Sequence, residues 1–239
     1  MLIVMMLEHI KEFSRHCDGY DAHMHLQKEV ATYLVSKITS CPKTILDLGC
    51  GNGAVFKNIT WDIEHFDGVD SAKQMADKHP VAKEVRIIQE NFESPYLSQH
   101  LLPQYDLIIS SSALQWAQSI EKVVAFCALA CKEGAFAIFT DKTFEAVYHV
   151  SGLQTFLPNA KILGELFNQY FTCKQEIRTF KLYFEDNISK FRYIKQSGVS
   201  GGKKQLSVAQ TKALIQNYPY DYLECEVLFI WGIPKRKYL

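Results

Sequence analysis

The feature that most constrains this chain is a rhythm running from residue 44 to residue 141. Short apolar runs of buried-strand length recur between segments of helical spacing. "TILDLGC" (44–50), "HFDGVD" (65–70), "VRIIQEN" (85–91), "YDLIISSS" (105–112) and "AFAIFTD" (135–141) read as strands. "SAKQMADKH" (71–79) has helical spacing and stops before Pro80, and "IEKVVAFCALACKEG" (120–134) reads as a helix closed by Gly134. A helical stretch is also expected after the glycines at 49, 51 and 53. Repeated strand–helix–strand units build a parallel sheet with right-handed crossovers and helices on both faces. Beyond residue 141 the pattern changes. Helical pieces around 143–152 and 160–171 lead to an alternating strand, "EIRTFKLYF" (176–184). A helix near 186–197, the flexible-looking "SGVSGGKKQ" (197–205) and another helix precede the last strand, "YDYLECEVLFIWGI" (220–233). Two late strands joined by helices suit an antiparallel edge. The expectation is an α/β fold with a seven-stranded, mostly parallel sheet, and 239 residues fit one such domain, 1–239.

The ligand question turns on "KTILDLGCGNGAVF" (43–56), a strand that breaks into alternating glycines. Gly49, Gly51 and Gly53 allow a tight turn and let a ligand approach bare backbone. Read loosely, Gly49-x-Gly51-x-x-Ala54 also satisfies a dinucleotide pattern, so NAD must be weighed. Asp47 argues against it, because a carboxylate at the lip of the turn would repel a pyrophosphate. It would attract a cationic ammonium, and S-adenosylmethionine carries one and has no phosphates. Asp70, ending the second strand, is placed to accept the ribose hydroxyls, and Ser71 and Met75 join it on the cofactor side. Asn91 and Phe92 close the third strand, where adenine would lie, and Ser110 and Ser111 end the fourth beside the sulfonium. Each residue also has an ordinary use: Asp70 as a helix N-cap, Gly53 for packing, Phe92 as core. The argument for a ligand is their joint spacing.

Composition narrows the classes. A formal net charge of zero argues against a dedicated nucleic-acid binder. The seven cysteines are scattered without a C-x-x-C pair, which suggests reduced thiols with neither a disulfide frame nor a metal site. The opening "MLIVMMLEHIKEF" lacks a basic start and a cleavage site, and no run is long enough to span a membrane. A cytoplasmic protein is expected.

Three further segments carry a resemblance. "YDLIISSSALQWAQSIEKVV" (105–124) resembles the fourth-strand region of the malonyl-acyl-carrier-protein O-methyltransferases of biotin synthesis, the BioC family. "FSRHCDGYDAHMHLQ" (13–27) is similar to that family's N-terminal element through Phe13, Arg15, Tyr20, Asp21, His23 and Gln27. "LYFEDNISKFRYIKQSGVSG" (182–201) and "YPYDYLECEVLFIWGI" (218–233) resemble its late strands and helical lid. Ser111 stands where the family has Asn, and Asn91 where an acid is usual. The resemblance implies a Rossmann-like class I methyltransferase, with lid elements at about 8–30 and 186–218. Its cofactor would be S-adenosylmethionine, its product S-adenosylhomocysteine, and its substrate a malonyl thioester on an acyl-carrier protein.

The implied reaction is attack of a carboxylate oxygen on the sulfonium methyl. A malonyl carboxylate is ionised at pH 7, so no general base is needed. Tyr20, Gln115 and Trp116 would border the transfer site. The stretch 187–220 carries Lys190, Arg192, Lys195, Lys203, Lys204 and Lys212 with no Asp or Glu. That imbalance suits an acidic carrier, and Arg192 and Lys195, with Lys190, are the candidates to grip the carboxylate or the carrier. Ser197 to Gly202 would serve as hinge. Two other readings stay open: a methyltransferase for small free acids, of the trans-aconitate kind, and a non-catalytic binding subunit of methyltransferase shape.

Overall fold

Alternation along the central parts of the strands sorts their side chains into two layers. The computed structural model describes residues 25–196 and 206–235. In strand β1 (Thr44–Leu48), Ile45 joins one core, while Leu46 and Leu48 join the other. In β4 (Tyr105–Ser111) the same split separates Leu107 and Ile109 from Ile108. In β7 (Tyr222–Pro234) it separates Val227 and Phe229 from Leu228 and Ile230. A strand buried on both faces needs apolar residues at successive positions, which is why these segments read as unbroken apolar runs. Helix α1 (His25–Val35) covers the first layer through Leu26, Val30 and Leu34, with Tyr33 edge-on to Phe229 at 4.8 Å. Helices α3 (Ile120–Ala130) and α5 (Ala160–Tyr170) cover the second through Val124, Cys127, Leu163 and Phe167.

The sheet has seven strands in the order β3-β2-β1-β4-β5-β7-β6, with β2 at His65–Asp70, β3 at Val85–Gln89, β5 at Cys131–Phe139 and β6 at Phe171–Tyr183. β1 pairs in parallel with β2 on one side and β4 on the other. The strand order therefore reverses at β1, and a crevice opens beyond its C-terminal end, the usual ligand position in such sheets. β7 runs antiparallel between β5 and β6, which is the antiparallel edge expected.

Several local expectations are corrected. The glycines are followed by turns and one 3-10 turn, Phe56–Asn58, not by an α-helix. The β-branched Ile59 and Thr60 and the bond from Trp61 Nε1 to the Pro42 carbonyl, 2.9 Å, return the chain to β2 too soon for one. The helix expected over 71–79 is only α2 (Lys73–Ala76), because Ala72 is extended at φ −88°, ψ 94°. α3 ends at Ala130, and Cys131 already belongs to β5. Gly134 lies inside that strand, where a Cβ would come within 2.7 Å of Phe136 and 2.8 Å of Phe171. β6 starts at Phe171, directly after α5. The last helices are α4 (Glu145–Ser151), α6 (Asn187–Gln196) and α7 (Val208–Asn217). Among the described residues no helix is long and apolar enough to cross a membrane.

The outer strands β2 and β3 are pinned by a buried charge. Arg86 Nε and Nη2 donate to Asp67 at 2.7 and 2.8 Å, Tyr105 also donates to that carboxylate, and His65 lies 2.9 Å away. Burial alone would raise the Asp67 carboxyl, but its bonds to Arg86, Tyr105 and His65 outweigh this and lower it. A lowered carboxyl contributes stability above its unfolded value, near 3.9, that is lost as pH falls through the folded one. Arg86→Met is therefore expected to cost about 2 kcal/mol at pH 7, below the usual ~3–5 for breaking a buried pair because Tyr105 and His65 remain. The loss should shrink in acid, read as urea midpoints at pH 7 and pH 3.

Candidate cofactor and methyl-transfer site

The glycine turn hangs from the end of β2. The N–H groups of Gly49 and Cys50 both donate to the Val69 carbonyl, at 2.8 and 3.1 Å. Its three glycines answer to different neighbours. Gly49 (φ +79°) faces Ala113, whose Cβ would be 2.2 Å from an added Cβ. Gly53 (φ +81°) is packed on Pro80 and His79. Gly51 (φ +51°) is the least crowded of the three, since an added Cβ would meet only Met75 Cε, at an ordinary contact distance of 3.8 Å. Only Gly51 therefore leaves room for a ligand against its backbone, with the buried Met75 as the floor.

Asp47 lies under this turn rather than at its lip. It is 1 % exposed, and both carboxylate oxygens are buried without a hydrogen-bond partner. Burial, and then the nearby charge of Asp70, push its carboxyl well above the usual carboxylate range. Leaving such a group charged and unpaired is costly, and a positive group placed beside it would favour its ionised form. Asp70 is already partly engaged: Oδ2 accepts from Gly51 N and Oδ1 from Ala72 N, both at 2.8 Å. Burial raises its carboxyl, opposed by those two bonds. Asp70 thus locks the turn against β2, and each oxygen keeps acceptor capacity. Ser71 follows it, half-buried.

The end of β4 lies across the turn, brought there by the Gly49–Ala113 contact. Ser110 is buried and its hydroxyl donates to the Leu48 carbonyl at 2.6 Å. This corrects its assignment: the hydroxyl ties β4 to β1. Ser111 Oγ is buried and unpartnered, as is Gln115 Oε1, while Gln115 Nε2 donates to the Ser112 carbonyl at 2.7 Å. Trp116 stands in a 3-10 turn with its ring centroid 5.4 Å from that of Phe156. Sequence reasoning missed Ser112, which has φ +61° and a second buried, unpartnered hydroxyl. The serine run carried no signal to single it out.

Asn91 and Phe92 border a cleft of about 650 Å³ reaching Gln118 and Ser119 before α3. Asn91 Oδ1 accepts from Glu93 N at 2.9 Å, and Glu93 in turn accepts from Gln118 N and Ser119 N, both at 2.8 Å. The loops after β3 and β4 are thereby joined beside the crevice.

Lys190 needs correction. It is 2 % exposed, and its ammonium donates to the Tyr220 carbonyl. With Asn187 Nδ2, which donates to Ile215 O and Tyr218 O, it clamps α6 onto the end of α7. It is committed to structure and unavailable to a substrate. Arg192 and Lys195 are exposed on α6. Tyr20, the rest of the element from 8 to 24, the proposed hinge, Lys203 and Lys204 lie outside the described residues. Cys50, Cys127, Cys131 and Cys225 are buried and free, and no metal-binding group of His, Cys, Asp and Glu occurs among the described residues.

Residues 46–137 match the family model described as a methyltransferase domain. Together with the sheet order and the glycine site, this makes residues 46–137 a methyltransferase domain of the S-adenosylmethionine-dependent kind. Its curated relatives include the malonyl-[acyl-carrier protein] O-methyltransferase of Anoxybacillus flavithermus, 29% identical over 150 residues, covering 58% of this chain and 55% of that protein. The protein of the same name from Acetivibrio thermocellus is 29% identical over 147 residues, 57% of this chain and 50% of that one. The chain spans about half the length of the curated relatives it matches. Among solved structures, YcgJ from Bacillus subtilis shares the fold, with TM-score 0.63, 16% identity and coverage of 86% of this chain and 98% of that one. S-adenosylmethionine is the cofactor of the class. The residues present fit it, since Asp47 supplies two buried acceptors that no group of the described protein satisfies.

Proposed function

We propose that this protein is a carboxyl O-methyltransferase that forms the methyl ester of a malonyl group on an acyl-carrier protein, an early step of biotin synthesis, in the cytoplasm. The methyl-transfer half of this reading is carried by the unpartnered Asp47 beneath the glycine turn. The substrate half is taken from the printed names of the relatives.

Bound S-adenosylmethionine supplies an electrophilic methyl group on a sulfonium. Asp47 and the backbone of Gly49 and Gly51 would receive its amino-acid end, and Asp70 its ribose hydroxyls. Asn91 and Phe92 would border the adenine. Gln115, Trp116 and Tyr20 would flank the acceptor. The methyl group would pass to a carboxylate oxygen of the acceptor, the C–O bond forming as the C–S bond breaks, and sulfur would keep the electron pair of the broken bond. No proton moves, so catalysis rests on orientation and on excluding water from the nucleophile. Helices α6 and α7 would act as the lid, and the exposed Arg192 and Lys195 would steer an acidic carrier, chiefly through association rate.

The test is mass spectrometry of malonyl-carrier protein incubated with the enzyme and S-adenosylmethionine. A gain of one methyl group on the carrier, absent with Asp70→Ala, is expected. Methylation of free small acids alone would replace the substrate assignment, and no cofactor binding in calorimetry would leave only a binding subunit.

A further inference from the structure

The buried unpartnered atoms around the turn fall into two chemical kinds. Asp47 Oδ1 and Oδ2 and Gln115 Oε1 only accept hydrogen bonds. The Gln115 amide orientation is set by the bond from its Nε2 to the Ser112 carbonyl. Ser111 Oγ and Ser112 Oγ are able to donate, and they adjoin Ala113, the residue that touches Gly49. A ligand ammonium satisfies the acceptors. It leaves the hydroxyl protons without an acceptor, which an electron-rich oxygen would supply.

Ser112 also carries backbone strain. Its φ of +61° is a conformation that costs a residue other than glycine about 1–2 kcal/mol. Its N–H is held by the Ala137 carbonyl of β5 at 2.9 Å and its carbonyl by Gln115. The turn is thus fixed from both sides, and strain maintained in this way is a mark of functional positions. A simple tight turn would favour glycine there and would need no buried hydroxyl. Of the three cations proposed for the acceptor, Lys190 is committed to Tyr220, and Arg192 and Lys195 are exposed on α6.

We infer that the Ser112 hydroxyl, with that of Ser111, is the donor pair that holds the carboxylate of the methyl acceptor, so that a neutral pair of hydrogen bonds selects an anionic acceptor. This rests on the carboxyl-methylation reading. Neutral donors suit the reaction, because they orient one carboxylate oxygen while the other keeps its charge and nucleophilicity. A lysine in contact would quench it more strongly.

The experiment compares wild type, Ser112→Gly and Ser112→Asn with malonyl-carrier protein as acceptor. Ser112→Gly removes the hydroxyl and keeps the positive φ. The acceptor KM is expected to rise about 10- to 100-fold, the worth of a hydrogen bond to a charged group. The cofactor Kd should stay within about twofold, since Asp47, Gly51 and Asp70 are untouched. Ser112→Asn tolerates the same backbone and restores a donor, so it should recover most of the loss. Unchanged kinetics in Ser112→Gly overturn the inference. So does weakened cofactor binding with unchanged acceptor KM, which would assign the hydroxyl to the cofactor's own carboxylate. A wild-type enzyme that esterifies no carboxylate removes the underlying reading, and this inference with it.

Discussion

Asp47→Asn is expected to make the unliganded protein more stable and to weaken S-adenosylmethionine binding about 100-fold. Both effects follow from one buried carboxylate without a partner. Removing one member of a buried charge pair usually costs about 2–5 kcal/mol of binding, and the amide oxygen that remains keeps the loss toward the lower part of that range. In the free protein the same change relieves an uncompensated burial. A rise in Tm of roughly 3–6 °C corresponds to ~1.5 kcal/mol for a chain of this size. The Asp47 carboxyl is raised by burial and by Asp70. A raised carboxyl contributes stability that is complete below its unfolded value, near 3.9, and is lost as pH rises through the folded one. The gain from Asn should therefore be present at pH 7 and absent near pH 3. A bound cation favours the ionised form, so binding to wild type should release a proton and tighten with rising pH. Calorimetry in two buffers of different ionisation enthalpy detects that proton, and Asp47→Asn should abolish it. Equal affinity in the two proteins would remove Asp47 from the site.

The second large effect separates two glycines two residues apart. At Gly49 an added methyl would lie 2.2 Å from the Ala113 Cβ, in a backbone at φ +79°. Overpacking of about 1–3 kcal/mol and left-handed strain of about 1–2 kcal/mol add, so Gly49→Ala should lower Tm by roughly 10 °C. At Gly51 the nearest atom is 3.8 Å away, and only the strain remains. Gly51→Ala should fold with a loss of a few degrees. It should still bind cofactor more than about tenfold worse, because its methyl fills the space left for the ligand. Thermal melts alongside calorimetry check the contrast. Equal destabilisation by the two substitutions would show that Gly51 also serves packing.

Much of this site was legible because its logic is local. The glycines, Asp47 and Asp70 belong to the two strand ends that form a βαβ crevice, and strand alternation alone places those ends together. What stayed hidden depended on neighbours distant in sequence. Lys190 looked like part of a basic face, yet the carbonyl of Tyr220, thirty positions on, buries it. Ser110 and Ser111 looked equivalent, but only Ser110 meets the Leu48 carbonyl. The helix expected after the glycines is reduced to a 3-10 turn, as Trp61 is drawn back to Pro42.

The amino-acid sequence by itself determined the sheet, because the polarity of successive residues sets which segments can be buried on both faces. It also placed one acid beside three glycines, the pattern from which a positively charged ligand end is expected. Only the tertiary structure decided that this acid lies beneath the turn and not at its rim. It also decided which hydroxyls are left without partners and which cation is committed to the frame. Burial and hydrogen-bond satisfaction are properties of the surrounding packing, and residues far apart in the chain create that packing together.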